Sequence, residues 1–236
     1  MADLGLSSGR VAFDDLRFGQ QLGMETIEVV DGYDPMMYAR CVKTDAEIEL
    51  LKRATTVNEQ AIRRSIKTWG PGMMWQEFNH EYHKAVVEMG GFVRDPGAMV
   101  WGHPCGGDPA VTLHSRLDDF VMEPGMNILF DCHGTLDLYC WDGGKTWVVD
   151  GDATGDAKQY ANATADAATA VMEAMRPGVT ISDLQRIGRA VYRTNGVAGA
   201  DDVLIFFHGL GLSHMELEQF GADGVPNHDW QLEANM

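Results

Sequence analysis

The feature that most constrains the fold is a unit of two helices that occurs twice. Residues 44–69 read TDAEIELLKRATTVNEQAIRRSIKTW. Thr44 and Glu47 form a capping box, and Ile48, Leu51, Ala54 or Thr55, Asn58, Ala61 or Ile62 and Ser65 or Ile66 recur at helical spacing. The pattern predicts a long amphipathic helix that stops at Gly70-Pro71-Gly72, then a second helix over about 75–89 that ends at Gly90-Gly91. The same order returns later. An alanine-rich helix over 157–175 is broken by Arg176-Pro177-Gly178, and a helix over 181–194 ends at Asn195-Gly196. Pro71-Gly72 matches Pro177-Gly178 and Gly90 matches Gly196 at one offset of 106 residues. A fixed long offset of this kind predicts a duplicated half-domain.

Strand-like sequence trails each helix pair. Stretches 98–101, 110–113, 126–132, 136–141 and 145–149 follow the first pair, and 203–207 and 213–220 follow the second. Blocks of helices each followed by strands predict an α+β domain with its helices on one side of an antiparallel sheet. Residues 1–43 hold two extended pieces, 10–13 and 25–30, too short for a core of their own. A chain of 236 residues needs no covalent staples, since it can bury roughly 70% of its unfolded surface. The cysteines at 41, 105, 132 and 140 fit no paired zinc spacing and read as free thiols, with Cys132 and Cys140 as small buried hydrophobes.

Charge removes several classes of partner. With 35 acidic against 18 basic residues the formal charge is -17, which repels polyphosphate and offers no basic surface for counterion release. Nucleic acid and anionic membrane are thereby disfavoured. No run approaches the roughly 20 apolar residues of a membrane span, and the first residues lack a basic, then apolar, leader, so a cytoplasmic address is expected.

The chemistry concentrates in two segments. In NILFDCHGTLDLYCWDGGKTWVVDG, Asp131 and Asp142 each follow apolar strand-forming residues. A carboxylate placed there requires a cation, hydrogen-bond donors or a raised pKa. A short turn containing Gly134 is expected to join the two strands and aim both carboxylates at one spot, the geometry of a hard-metal site. In VLIFFHGLGLSHMELEQF, His208 follows five apolar residues, and Gly209 and Gly211 allow close approach to the backbone. Such a histidine is either a satisfied core residue or a ligand, and His214, six positions on, can face the same cavity. His80-Glu81-Tyr82-His83 has its histidines three apart, where a helical zinc pair needs four, and reads as a solvated face.

Taken in order, Asp131, Asp142, His208 and His214 on a duplicated scaffold resemble the metallopeptidase family of methionine aminopeptidase, aminopeptidase P, prolidase and creatinase, which has the pita-bread fold. The matching features are two aspartates with ten residues between them, the stretch His208-Gly209-Leu210-Gly211, His114 before the first aspartate, and Val42-Lys43-Thr44 before the first helix. The resemblance spans about residues 38–236. It implies a remnant of an N-terminal creatinase-like domain and linker over 1–43, and a catalytic domain over 44–236. It implies two divalent ions, Mn, Co, Zn or Fe, held by Asp131, Asp142 and His208, with His114 at the carbonyl oxygen or tetrahedral adduct and His214 at the substrate or leaving group. The substrate it implies is a small peptide, or a small amide or amine, in a homodimeric dipeptidase or aminopeptidase that cleaves Xaa-Pro bonds. Creatinase-like C–N hydrolysis, ectoine-type ring opening or an osmolyte lyase keeps the fold with another substrate, and a metal-free binding module keeps it without catalysis.

Three departures accompany the resemblance. Gly143-Gly144-Lys145-Thr146 puts lysine where the family has arginine, and His214 comes one residue early. Two glutamate ligands are expected after a segment like Leu232-Glu233-Ala234-Asn235-Met236, and Glu233 receives no ligand role. The chain therefore reads as an internal fragment lacking its last strands. By itself it is expected to bind at most one divalent ion weakly, to hydrolyse no Xaa-Pro dipeptide and to aggregate through an exposed sheet edge.

Overall fold

Helix α2 (Asp45–Thr68) begins where the capping box places it. Thr44 N donates to Glu47 Oε2 at 2.8 Å, and Glu47 N donates to Thr44 Oγ1 at 3.4 Å. A computed structural model of the chain describes residues 5, 8–13, 27–103, 113–114, 119–205, 208–216 and 229–236. Before α2 come strands β1 (Gly9–Phe13) and β2 (Ile27–Asp31), paired in parallel, and helix α1 (Tyr33–Cys41). The sequence pattern did not predict α1. It is a short helix with no side-chain cap, held instead by burial of Met37 and Cys41, four residues apart, against Trp230 and Met236.

The first helix pair is α2 and α3 (Trp75–Glu88), and the second is α4 (Gly155–Ala174) and α5 (Ile181–Thr194). Between them lies an antiparallel sheet of β3 (Phe92–His103), β4 (Leu113–His114), β5 (Asn127–Leu136) and β6 (Tyr139–Val148), in the order β4-β3-β5-β6. Ala54, Val57, Ala61 and Ile62 of α2 and Trp75, Phe78, Tyr82 and Val86 of α3 pack on Ile128, Phe130 and Cys132 of β5 and Trp141 of β6. Alternation then turns Asp131 and His133 to the opposite face. The thiols of Cys41, Cys132 and Cys140 are free, as expected, and the expected burial of Cys132 and Cys140 holds; Cys41 is buried too, whereas Cys105 lies outside the described residues.

The duplication is written in hydrogen bonds as well as in punctuation. Trp75 N donates to Phe120 O and Ile181 N to Trp230 O; Met122 N donates to Met73 O and Leu232 N to Val179 O. Asp119 caps α3 through Gln76 N at 3.0 Å, and Asp229 caps α5 through Ser182 N at 2.9 Å. The Pro-Gly breaks share a left-handed glycine, φ 86° at Gly72 and 91° at Gly178. Each half thus closes its helix pair with the same returning strand-like segment.

Two expectations about strands are corrected. Residues 139–148, which join most of the stretches 136–141 and 145–149, form one strand, β6; Leu136 ends β5, and the turn between them is Asp137-Leu138, not a Gly134 turn. Gly134 lies within β5, where a Cβ would come 2.1 Å from the Trp141 ring, so it provides room for the indole. In the second half, residues 203–205 and 213–215 form no strand; the described part of 213–220 pairs only through the bridge of Glu216 with Gly209. Apolar composition suggested strands there, but no neighbouring backbone among the described residues supplies a ladder. Most of 110–113 lies outside the described residues. No helix among the described residues is long and apolar enough to cross a membrane.

The hairpin turn holds both central residues at positive φ, 50° at Asp137 and 72° at Leu138, as a type I′ turn requires. Leu138 is 77% exposed, so its side chain offsets little of the strain. Leu138→Gly is expected to raise stability by about 0.5–1 kcal/mol, since the left-handed region costs an L-residue about 1–2 kcal/mol that glycine avoids. Thermal unfolding of the two proteins checks it; an unchanged or lower midpoint refutes it.

Candidate metal centre

The register of β5 on β6 builds the site. Asp131 pairs with Gly144 and His133 with Asp142, so three chemically active side chains share one face across two strands. Gly144 makes this approach possible: a Cβ there would lie 1.9 Å from Phe130 O and 2.8 Å from Asp131 Cα. The far face locks Asp142 in place. Trp141 Nε1 donates to Tyr82 Oη at 3.2 Å, Tyr82 Oη donates to Asn58 Oδ1 at 2.9 Å, and Asn58 Nδ2 donates to Gly143 O at 3.0 Å. The residues on both sides of Asp142 are therefore fastened to the helices.

Asp131, His133 and Asp142 offer ligand atoms that all lie within 4.8 Å of one another. Nε2 of His133 is 3.5 Å from Asp131 Oδ1 and 3.3 Å from Asp142 Oδ1. That nitrogen is buried, with neither oxygen aligned for a hydrogen bond. His208 approaches from the second half, its Nε2 3.1 Å from Asp142 Oδ2 and its Nδ1 3.0 Å from Gly209 O. Cys140 N donates to Gly211 O at 2.8 Å and draws the histidine segment onto β6. His214 lies against His133, with ring centroids 5.5 Å apart and 29° between the planes.

The charges respond to this crowding. The Asp131 carboxylate beside it holds the His133 imidazole above its ordinary range, against its burial. Burial pulls the Asp142 carboxyl up, but the bond from His208 and the charges of His133 and His208 hold it below the usual carboxylate range. Burial, then the neighbouring His133, push His214 down, which keeps its imidazole neutral at pH 7.

Of the residues singled out in the sequence, the structure brings Asp131, Asp142, His208 and His214 to this face. His114 pairs with Trp101 through β4, and its side chain lies outside the described structure. Glu233 accepts a hydrogen bond from Tyr38, and Asp137 pairs with Arg53 at 3.3 Å, so neither stands in the cluster. Sequence reasoning missed His133 and Glu216. Two-residue periodicity from Asp131 could have flagged the first.

Glu216 is completely buried and pairs with Lys43 Nζ at 2.7 Å and Arg40 at 3.1 Å. Its backbone bridges Gly209, and its carboxylate fills the space left by Gly211, where a Cβ would be 2.6 Å away. Residues 40–43 thus brace the loop that carries His208. Beside that loop is a cavity of about 820 Å³ whose lining includes Lys43, Leu184, His208 and Trp230.

Comparison with known proteins bears on the same segments. Metallopeptidase family M24 matches residues 49–236. A probable Xaa-Pro aminopeptidase of Coccidioides posadasii (strain C735) is 26% identical over 207 residues, covering 80% of this chain and 43% of the relative. The Xaa-Pro dipeptidase of Pongo abelii is 25% identical over 178 residues, covering 72% of this chain and 36% of the relative. Among solved structures, the prolidase from Pyrococcus furiosus superposes with a TM-score of 0.77 at 18% identity, over 98% of this chain and 68% of that one. The fold is the pita-bread fold of prolidases and aminopeptidases P. The chain spans half or less of the length of the two curated relatives.

Proposed function

The chain belongs to metallopeptidase family M24, and from that membership we propose that the protein is a metal-dependent hydrolase of small Xaa-Pro peptides, working with two divalent ions. The carrying observation is the meeting of Asp131, Asp142 and His208 on one face of the β5–β6 hairpin. Two carboxylates side by side with an imidazole on one of them, and a buried nitrogen without an aligned partner between them, form a donor set that suits a divalent cation. A divalent ion bound there supplies Lewis acidity toward a peptide carbonyl and acidifies water. Asp131, Asp142 and His208 would hold it, the two carboxylates supplying the charge that retains it and His208 an imidazole nitrogen. His214, kept neutral by its surroundings, takes or gives a proton near the reacting amide, and His114 is assigned to the carbonyl oxygen. Residues 1–43 are assigned to an N-terminal domain and linker, and 44–236 to the catalytic domain, of a homodimer.

The test is hydrolysis of Xaa-Pro dipeptides and of longer peptides with proline second, in Mn, Co, Zn or Fe. In the whole protein, Asp142→Asn is expected to lower turnover at least about a thousandfold, the several kcal/mol that a lost Lewis acid represents. Metal-independent turnover refutes the proposal, and turnover of creatine or ectoine in place of peptides selects the alternative substrates. The 236 residues alone are expected to bind an ion without turnover, because no additional carboxylate joins the cluster among the described residues.

A further inference from the structure

We infer that His133 is itself a metal ligand, and that its imidazole turns this site toward Zn²⁺, Co²⁺ or Fe²⁺ and away from Mn²⁺ and Mg²⁺. The inference rests on the metal-site reading above and adds a donor to it. His133 lies directly opposite Asp142 in the hairpin register and two residues from Asp131 on the same face, so the sheet backbone holds all three side chains. Its Nε2 stands 3.3 Å from one carboxylate oxygen and 3.5 Å from the other. Ligand atoms about 2.1 Å from a tetrahedral ion are about 3.4 Å apart, so these separations are those of ligand edges around one ion.

The alternative role, a hydrogen-bonded spacer between the aspartates, is poorly served by the geometry. Nε2 is sealed from solvent and stands within ion-pair distance of both oxygens without a well-aligned hydrogen bond to either. A divalent ion that displaces the ring proton meets the same three ligand atoms, all within 4.8 Å of one another. His208 Nε2, 3.1 Å from the second oxygen of Asp142, adds another imidazole on the same carboxylate. His133 thus puts an imidazole nitrogen into the set formed with Asp131 and Asp142, with His208 on the far oxygen of Asp142, and a mixed nitrogen and oxygen set favours Zn²⁺, Co²⁺ and Fe²⁺ over the oxygen-seeking Mn²⁺ and Mg²⁺.

Titration calorimetry with ZnCl₂ and MnCl₂, on the protein and on its His133→Ala, His133→Gln and Asp142→Asn variants, tests the assignment. Zn²⁺ is expected to bind more tightly than Mn²⁺, and both His133 variants to lose at least about tenfold in Zn²⁺ affinity, since loss of an outer-shell partner alone costs 10–100-fold. Mn²⁺ affinity should fall less. With Cu²⁺ as an EPR probe, the unsubstituted protein should show nitrogen couplings from two imidazoles and His133→Ala from one. Unchanged thermal unfolding of the apo His133→Gln variant separates ligand loss from misfolding. If Asp142→Asn abolishes binding while both His133 variants bind Zn²⁺ as before or more tightly, the metal site stands and His133 is not a ligand. If the unsubstituted protein binds neither ion, both readings fail together.

Discussion

Lys43→Met is expected to lower the free energy of unfolding by about 3–5 kcal/mol, the usual cost of removing one partner from a buried ion pair. Nζ of Lys43 donates to Glu216 Oε2 at 2.7 Å and to the carbonyls of Arg40 and Cys41 at 2.8 and 3.2 Å, and the side chains of both charged partners are at least 94% buried. Methionine keeps most of the volume but leaves the Glu216 carboxylate to Arg40, whose side chain is 31% exposed, and to a 3.4 Å bond from Ser213 N. A second variant, Lys43→Met with Glu216→Leu, should recover much of the loss, because the stranded charge goes with its partner. Urea unfolding of the three proteins gives the comparison. A loss below about 1 kcal/mol for the single variant would show that the pair behaves as an exposed one. Because Glu216 also bridges Gly209, Lys43→Met should weaken divalent-ion binding through His208 as well.

The second large effect is at Gly144. Its Cβ would sit 1.9 Å from Phe130 O, a backbone atom that cannot swing aside, so Gly144→Ala must push β6 away from β5. The expected cost is about 3 kcal/mol or more, at the upper end for overpacking, because the strand ladder is strained rather than a side chain. The same displacement separates Asp142 from Asp131 and His133. Metal affinity should therefore collapse even at temperatures where the variant is folded. Gly143→Ala is the control: its Cβ meets nothing within 4 Å, and its ion binding should be close to that of the unsubstituted protein. Equal metal affinity in the two alanine variants would refute the close-approach account.

Much of the architecture was legible from local chemistry. The capping box at Thr44, the Pro-Gly breaks and the terminal glycines act within a few residues, and all recur in the structure. The short helix α1 was not legible, because the contacts that stabilise it lie nearly two hundred residues away at Trp230 and Met236. Nor were the strands expected over 203–207 and 213–220 realised among the described residues. Apolar composition is necessary for a buried strand, but pairing requires a partner backbone.

The site divides in the same way. Spacing alone put Asp131 and Asp142 on neighbouring strands, and the glycine-bordered His208 marked the second segment. What the chain could not disclose by itself was the register. A turn at Gly134 and a turn at Asp137-Leu138 give different cross-strand pairs, and only the latter sets His133, rather than another residue, opposite Asp142. Glu216 was hidden for a similar reason, since its partners Lys43 and Arg40 are 173 and 176 positions away. Short-range hydrogen bonding and periodicity are properties of the sequence and determined the helices, the duplication and the two aspartates. Which carboxylate meets which imidazole, and which lysine enters the core to neutralise a glutamate, depend on distances between segments that only the packed tertiary structure decides.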